Sequence, residues 1–170
     1  PYLGDVIQKN SYDQIYDEHV YVFSALAVQK VFNMFDMELI DLQPQTTHGG
    51  SMRYFISHKG SYEKSSNVDE IISNEINLGL NIESTFLKFS KNIDKSRIEL
   101  KELLKKLKSK GKKIAGYAAT SKSTTILNYC DIGPDLIDYI TDTTPIKQNK
   151  FSPGMHIPIV DYQYFRNNPP

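Results

Sequence analysis

Tyr16, Glu18, His19 and Tyr21 fall within six positions of Ser11-Tyr-Asp-Gln-Ile-Tyr-Asp-Glu-His-Val-Tyr-Val-Phe. Histidine is the side chain whose ordinary pKa lies near neutrality, so it can take a proton and return it. A neighbouring carboxylate raises its basicity, and a tyrosine hydroxyl can hold an oxygen on which negative charge builds. Such a set suits removal of a proton beside a ketone. The same residues would also serve as a surface loop with a structural histidine, and their periodicity is neither cleanly helical nor cleanly extended.

Two further stretches carry chemical potential. In His48-Gly49-Gly50-Ser51 the glycines allow positive φ and close backbone approach, so the amides of Gly50 and Ser51 could line a pocket; an ordinary polar turn fits as well. From Lys112 to Cys130 the chain reads as a short buried strand (114–117), a turn of small residues, and a helix beginning between Ser121 and Thr125. A strand feeding a helix through small residues leaves amides unpaired at the positive end of the helix dipole, which suits an anion. Ala118 and Ala119 permit close approach, Ser121, Ser123 and Thr124 offer hydroxyls, and Lys122 adds charge. The functional reading is a phosphate-anchoring turn for a nucleotide diphosphate; the alternative is a plain turn capped by Ser or Thr. Neither G-x-G-x-x-G nor G-x-x-x-x-G-K-[ST] occurs.

The elements around these residues follow from hydrophobic spacing. A short helical stripe covers Tyr2 to Gln8, and Ser24 caps a helix from Ala25 to Phe35. Met37 to Leu42 and Met52 to Ser57 alternate as strands on either side of a polar turn from Pro44, an antiparallel pair at the edge of an α/β sheet. Composition turns polar between Ser61 and Ser66. Helices follow at about 68–79 and 83–110, the second ending at Gly111 as a C′ residue. Its lysines alternate with a leucine stripe and read as a solvated face. Strands at 136–141 and 156–160 flank a polar loop from Lys147 to Gly154, completing a compact parallel unit. Ligands in such units bind beyond the carboxyl ends of the strands. That gathers the turn after Tyr117 with Asp142 to Pro145, and Asp142 stands near the offset at which an acidic residue meets a ribose.

Composition narrows the classes. Twenty basic and twenty acidic residues leave no net field to draw in nucleic acid or an anionic membrane. The single cysteine suits a reducing compartment, and no apolar run approaches the ~20 residues of a membrane span. The expectation is a cytoplasmic, soluble protein. The four histidines and the cysteine never take metal-ligand spacing, so no metal site is expected. The chain opens Pro-Tyr-Leu and stops at Asn-Asn-Pro-Pro with no closing element expected after Val160, which reads as a piece of something larger.

Four ordered stretches then act together: Tyr12-Asp-Gln-Ile-Tyr-Asp-Glu-His-Val-Tyr-Val-Phe-Ser, Thr47-His-Gly-Gly-Ser-Met-Arg, Gly116-Tyr-Ala-Ala-Thr-Ser-Lys-Ser-Thr-Thr-Ile-Leu-Asn-Tyr-Cys, and Ile132-Gly-Pro-Asp-Leu-Ile-Asp-Tyr-Ile-Thr-Asp. Pro145-Ile-Lys-Gln and Pro153-Gly-Met-His-Ile-Pro-Ile continue the series. The chain resembles the C-terminal part of the S-adenosylmethionine-dependent C-methyltransferases that act on nucleotide-linked deoxyketosugars. The resemblance implies an α/β chain: the end of a Rossmann-type methyltransferase domain (residues 1–62), then a small Rossmann-like parallel α/β domain that holds the nucleotide-sugar (63–170). The zinc-binding region and the glycine-rich loop for S-adenosylmethionine would belong to the parent protein, so this chain alone is expected to be inactive. By resemblance His19 is the base, with Tyr16 and Glu18 as its neighbours. His48, Gly49, Gly50 and Ser51 border the reaction centre, and Ala118, Ala119, Thr120, Ser121, Lys122 and Asn128 belong to the nucleotide-sugar turn and helix. The common pattern Gly-Ala-Ala-Ala-Lys-Gly is here Ala-Ala-Thr-Ser-Lys-Ser, so Ala118 and Ser123 replace two glycines. Asp17 stands where the family often has histidine. The alternative is a stand-alone, non-catalytic nucleotide-sugar-binding module.

Overall fold

The computed structural model describes residues 1–170, an α/β chain that divides into two compact units, 1–92 and 93–170. No helix is long and apolar enough to cross a membrane.

In the first unit α1 (Leu3–Gln8) leads through a short 3-10 turn at Tyr12–Gln14 to α2 (Ala25–Asn33). Ser24 caps α2, its hydroxyl accepting from the amide of Ala27 at 3.1 Å. Strands β1 (Met37–Gln45) and β2 (Ser51–His58) pair antiparallel, with a bulge between Leu39 and Asp41. Pro44, expected to begin the turn, stays in β1 opposite Met52; a two-stranded ribbon leaves its missing donor facing outward. The bulge receives the next helix: the amide of Ser65, N-cap of α3 (Ser66–Asn77), donates to Ile40 O at 2.8 Å. Thus α3 packs on β1 and lies within the first compact unit, beyond the polar stretch at 61–66. Ala25, Val28, Leu39, Leu42 and Val68 form this unit's core. Leu39 and Leu42 are essentially inaccessible, each contributing about 2 kcal/mol of burial.

The fully buried Glu75 of α3 organises that core's polar edge. Its Oε1 accepts from the Tyr2 hydroxyl (2.9 Å) and the Ala25 amide (2.6 Å), and its Oε2 from the Leu26 amide (2.8 Å). These are orphan donors at the start of α2, where a carboxylate also meets the positive end of the dipole. Burial, followed by the charge of Glu75, pushes the Tyr2 hydroxyl far above its ordinary pKa, fixing it as a donor.

The long helix α4 (Glu83–Ser109) ends as expected on Gly111, at φ 72°, with the amide of Lys112 returning to Leu107 O. In the second unit β3 (Ala115–Tyr117), α5 (Ser121–Cys130), β4 (Tyr139–Thr141), β5 (Lys150–Phe151), β6 (Pro158–Val160) and α6 (Tyr162–Asn167) follow. The sheet order is β3-β4-β6-β5, parallel except for the edge strand β5. Buried in this unit are Leu127, Cys130, Ile132, Leu136, Ile140, Ile157 and Ile159.

Three expectations change here. The strand expected from Leu136 starts at Tyr139, because the amides of Leu136 and Ile137 both turn back to Gly133 O. The polar loop at 147–154 contains β5. Beyond Val160, where no closing element was expected, Asp161 caps α6 by accepting from the Tyr164 amide at 2.7 Å.

Candidate functional site

The first candidate grouping is built by one turn. The amide of His19 donates to Tyr16 O at 2.9 Å, which brings residues i and i+3 to the same side. The Tyr16 hydroxyl then lies 3.1 Å from His19 Nε2, with ring centroids 4.2 Å apart. His19 Nδ1 lies 2.7 Å from the backbone oxygen of Gln14. A carbonyl oxygen only accepts, so Nδ1 carries the proton and Nε2 is the bare nitrogen, accepting from Tyr16. Both rings are half-buried. Glu18 occupies a central position of the turn and is exposed, as is Asp17. Tyr21 is 71% exposed and stacks on Phe23 rather than joining His19.

The loop His48–Ser51 is brought to this turn by a residue the motif reading passed over. Gln14 is 4% exposed, and its Nε2 donates to His48 O at 2.6 Å. Lys9 Nζ donates to Gly49 O at 2.5 Å, and the Tyr2 amide to Gly50 O at 3.3 Å. Three successive carbonyls are therefore held from one side. His48, Gly49 and Gly50 all have positive φ (54°, 84° and 144°). A Cβ at Gly50 would lie 2.1 Å from Asp5 Oδ2, so the second glycine is required by a close approach. The Gly50 amide, expected to line a pocket, closes the turn onto Thr47 O instead. A hollow of about 470 Å³ in this unit, lined by Tyr2, Asp5, Gln8, Met52 and Asn74, contains neither Tyr16 nor His19.

The second candidate lies at the carboxyl ends of β3 and β4. A cavity of about 380 Å³, within the range of ligand sites, is lined by Ser121, Ser123, Thr124, Lys147, Lys150 and Phe151 among others. The turn feeding it is largely self-satisfied. The Ala118 amide donates to Thr141 O and the Ala119 amide to Asp142 Oδ2, each at 2.8 Å. Thr120 and Ser123 form a capping box, each side chain accepting the other's amide (3.0 and 2.9 Å). The amides of Ser121 and Lys122 remain without chain partners, as do the Ser121 hydroxyl and the Lys122 ammonium. The anion-binding capacity expected of the whole turn thus contracts to these groups and the neighbouring lysines.

Asp142, expected to meet a ribose, spends both oxygens on the chain: Oδ1 accepts from the Thr144 amide, Oδ2 from Ala119 and, at 3.4 Å, from Lys147. Lys147 also donates to Ala119 O at 2.7 Å. Burial alone would raise the Asp142 carboxyl. The amide and hydroxyl of Thr144, the Ala119 amide and the Lys147 charge outweigh it and bring the carboxyl down to about 2. The folded value lies below the unfolded one, so the stabilisation is present above about pH 4 and lost as pH falls towards 2. We expect the second unit to lose about 2 kcal/mol across that window. Asp142→Asn should flatten this part of the stability profile measured by denaturant titration at stepped pH.

Asn128 likewise works within the fold. Its Nδ2 donates to Thr124 O (2.8 Å) and Pro153 O (3.0 Å), and Gly154 packs so closely that a Cβ would reach 1.8 Å from its Oδ1. Ala118, at φ 68°, holds the left-handed conformation for which glycine is suited. Ala118→Gly is expected to raise the unfolding free energy by up to about 1 kcal/mol, strain relief exceeding the added chain entropy; an unchanged denaturation midpoint would contradict this.

The comparisons with known proteins agree with this architecture. Residues 46–170 match the family model described as the C-methyltransferase C-terminal domain. Over 160 residues, 94% of the chain, it is 31% identical to the C-methyltransferase NovU of Streptomyces niveus, of whose length it spans 38%. Since the family model matches most of its length, the chain belongs to the family of C-methyltransferase C-terminal domains.

Proposed function

We propose that this chain is the C-terminal part of an S-adenosylmethionine-dependent C-methyltransferase that deprotonates a nucleotide-linked deoxyketosugar beside its ketone and methylates that carbon. The observation that carries the reading is the bare His19 Nε2 beside the Tyr16 hydroxyl, a base and an oxygen-binding donor 3.1 Å apart. In the reaction His19 Nε2 takes the proton from carbon. The Tyr16 hydroxyl, released from the ring nitrogen, turns to the oxygen on which charge develops. Glu18, exposed on the same turn, is read by resemblance as the neighbour that orients the base. Residues 1–62 are read as the end of the methyltransferase domain, and 63–170 as containing the domain that holds the nucleotide-sugar.

Neither the hollow beside Tyr2 nor the cavity beside Ser121 is lined by a glycine-rich loop, so the site for the methyl donor S-adenosylmethionine is assigned to the parent protein. When bound there, it supplies an electrophilic methyl group. The test is the full-length protein incubated with methyl-labelled donor and a nucleotide-linked 4-ketosugar. Label on the carbon next to the ketone is the expected product, and label elsewhere or none would overturn the reading.

A second reading, a non-catalytic nucleotide-sugar module, is favoured by the cavity at Ser121, Ser123, Lys147 and Lys150. Calorimetry of this chain with a nucleoside diphosphate separates the two. Diphosphate binding accompanied by inactivity of the full-length protein would support the module alone.

A further inference from the structure

Gln14 sits where two candidate segments meet, yet its side chain is an expensive thing to bury. It is 4% exposed, its Oε1 has no partner in the chain, and only its Nε2 is paired, to His48 O at 2.6 Å. A buried amide oxygen left unpaired costs about 1–3 kcal/mol, so fold stability alone gives little reason for an amide at this position. Its neighbours give a better one. The backbone oxygen of the same residue receives the His19 Nδ1 proton at 2.7 Å. One residue therefore touches the histidine through its main chain and the left-handed loop at His48–Gly50 through its side chain.

We propose that Gln14 is a positioning residue that holds His19 in the Nδ1–H tautomer and ties it to the His48–Ser51 loop, so that Nε2 is the nitrogen left free to accept a proton. The mechanism is local. Residue 14 closes the 3-10 turn Tyr12–Gln14, whose last peptide is held by the Ile15 amide on Tyr12 O at 3.0 Å, and the Gln14 side chain anchors this turn to the His48–Ser51 loop. The His48 carbonyl is that anchor. Without it the turn can shift against the loop and the Nδ1 contact with the carbonyl of residue 14 loosens, so that the ring can protonate on Nε2 and lose the bare nitrogen facing Tyr16. The catalytic consequence rests on His19 being the base proposed above; the tautomer does not.

The experiment uses two readouts. Long-range proton–nitrogen correlation spectra of this chain, with the His19 signals identified by a His19→Gln variant, report which ring nitrogen carries the proton. The wild type is expected to show Nδ1–H, and Gln14→Leu a mixture containing the Nε2–H form. Gln14→Glu keeps the volume but puts a carboxylate oxygen against the His48 carbonyl. It should behave as Gln14→Leu does and carries the test where the leucine variant does not fold. In the full-length protein the same variants should lower kcat about 10²-fold, the size of effect expected from misplacing a reacting group, with KM for the nucleotide-sugar unchanged. Wild-type His19 protonated on Nε2, or an unaltered His19 spectrum in a folded Gln14 variant, would overturn the role of Gln14. A wild-type full-length protein without methyl transfer, beside the expected spectra, would instead overturn the proposed reaction and leave the positioning role standing.

Discussion

His19→Ala in the full-length protein is expected to lower turnover by about 10²–10⁴-fold, the range for losing a general base, with little change in affinity for the nucleotide-sugar. Three observations support an effect of that size. Nδ1 is committed to Gln14 O, so the ring has one nitrogen available and its tautomer is set. That nitrogen meets the Tyr16 hydroxyl at 3.1 Å, so the proposed base and the proposed oxygen-binding donor share one side of the turn. Third, His19 is half-buried and lies outside the buried core, so truncating the imidazole leaves that core intact. Tyr16→Phe keeps the ring but removes the donor; steady-state kinetics should show about a 10²-fold fall in kcat, as for loss of one oxyanion donor. Equal kcat in wild type and His19→Ala would remove the imidazole from the chemistry.

The largest effect on stability is expected at Glu75. Glu75→Ala strips the acceptor from the Tyr2 hydroxyl and from the Ala25 and Leu26 amides, of which the Ala25 amide is fully buried and the other two are part-buried. Each unsatisfied buried donor costs about 1–3 kcal/mol, and the lost side chain leaves a void besides. A total above about 3 kcal/mol would consume a large share of the 5–15 kcal/mol by which domains are ordinarily stable. Glu75→Gln keeps the shape but turns an amide donor toward donors, so it should recover little. Urea denaturation followed by circular dichroism reads both variants. A loss under about 1 kcal/mol for Glu75→Ala would mean that α2 is capped adequately by Ser24 alone.

What could be read in advance was what short-range chemistry controls. Ser24 before an apolar stripe, Gly111 after one, and the small-residue turn ahead of α5 are local signals, and each element forms where its signal lies. Asp161 before Tyr-Gln-Tyr is an equally local N-cap signal for α6, though the helix behind it spans only six residues. Pro44 punctuates most sequences, yet in a two-stranded ribbon it costs no ladder bond. Lys150–Phe151 is too short to show periodicity and is strand only because β6 lies beside it. The burial of Glu75 and the reach of Gln14 to His48 join residues far apart in the chain, and no pattern in either segment announces them. Ser123 shows the converse: a hydroxyl at a glycine position looked like a defect in a phosphate turn, and it completes the capping box. By the same box the amides of Thr120 and Ser123 are withdrawn from any ligand.

Removal of a proton from carbon by His19 is read most directly by exchange in deuterium oxide, without methyl transfer. With full-length protein and a nucleotide-linked 4-ketosugar, in the absence of methyl donor, the proton beside the ketone should wash out in wild type. In His19→Ala it should persist at the uncatalysed rate. Exchange at the wild-type rate in His19→Ala would contradict the account.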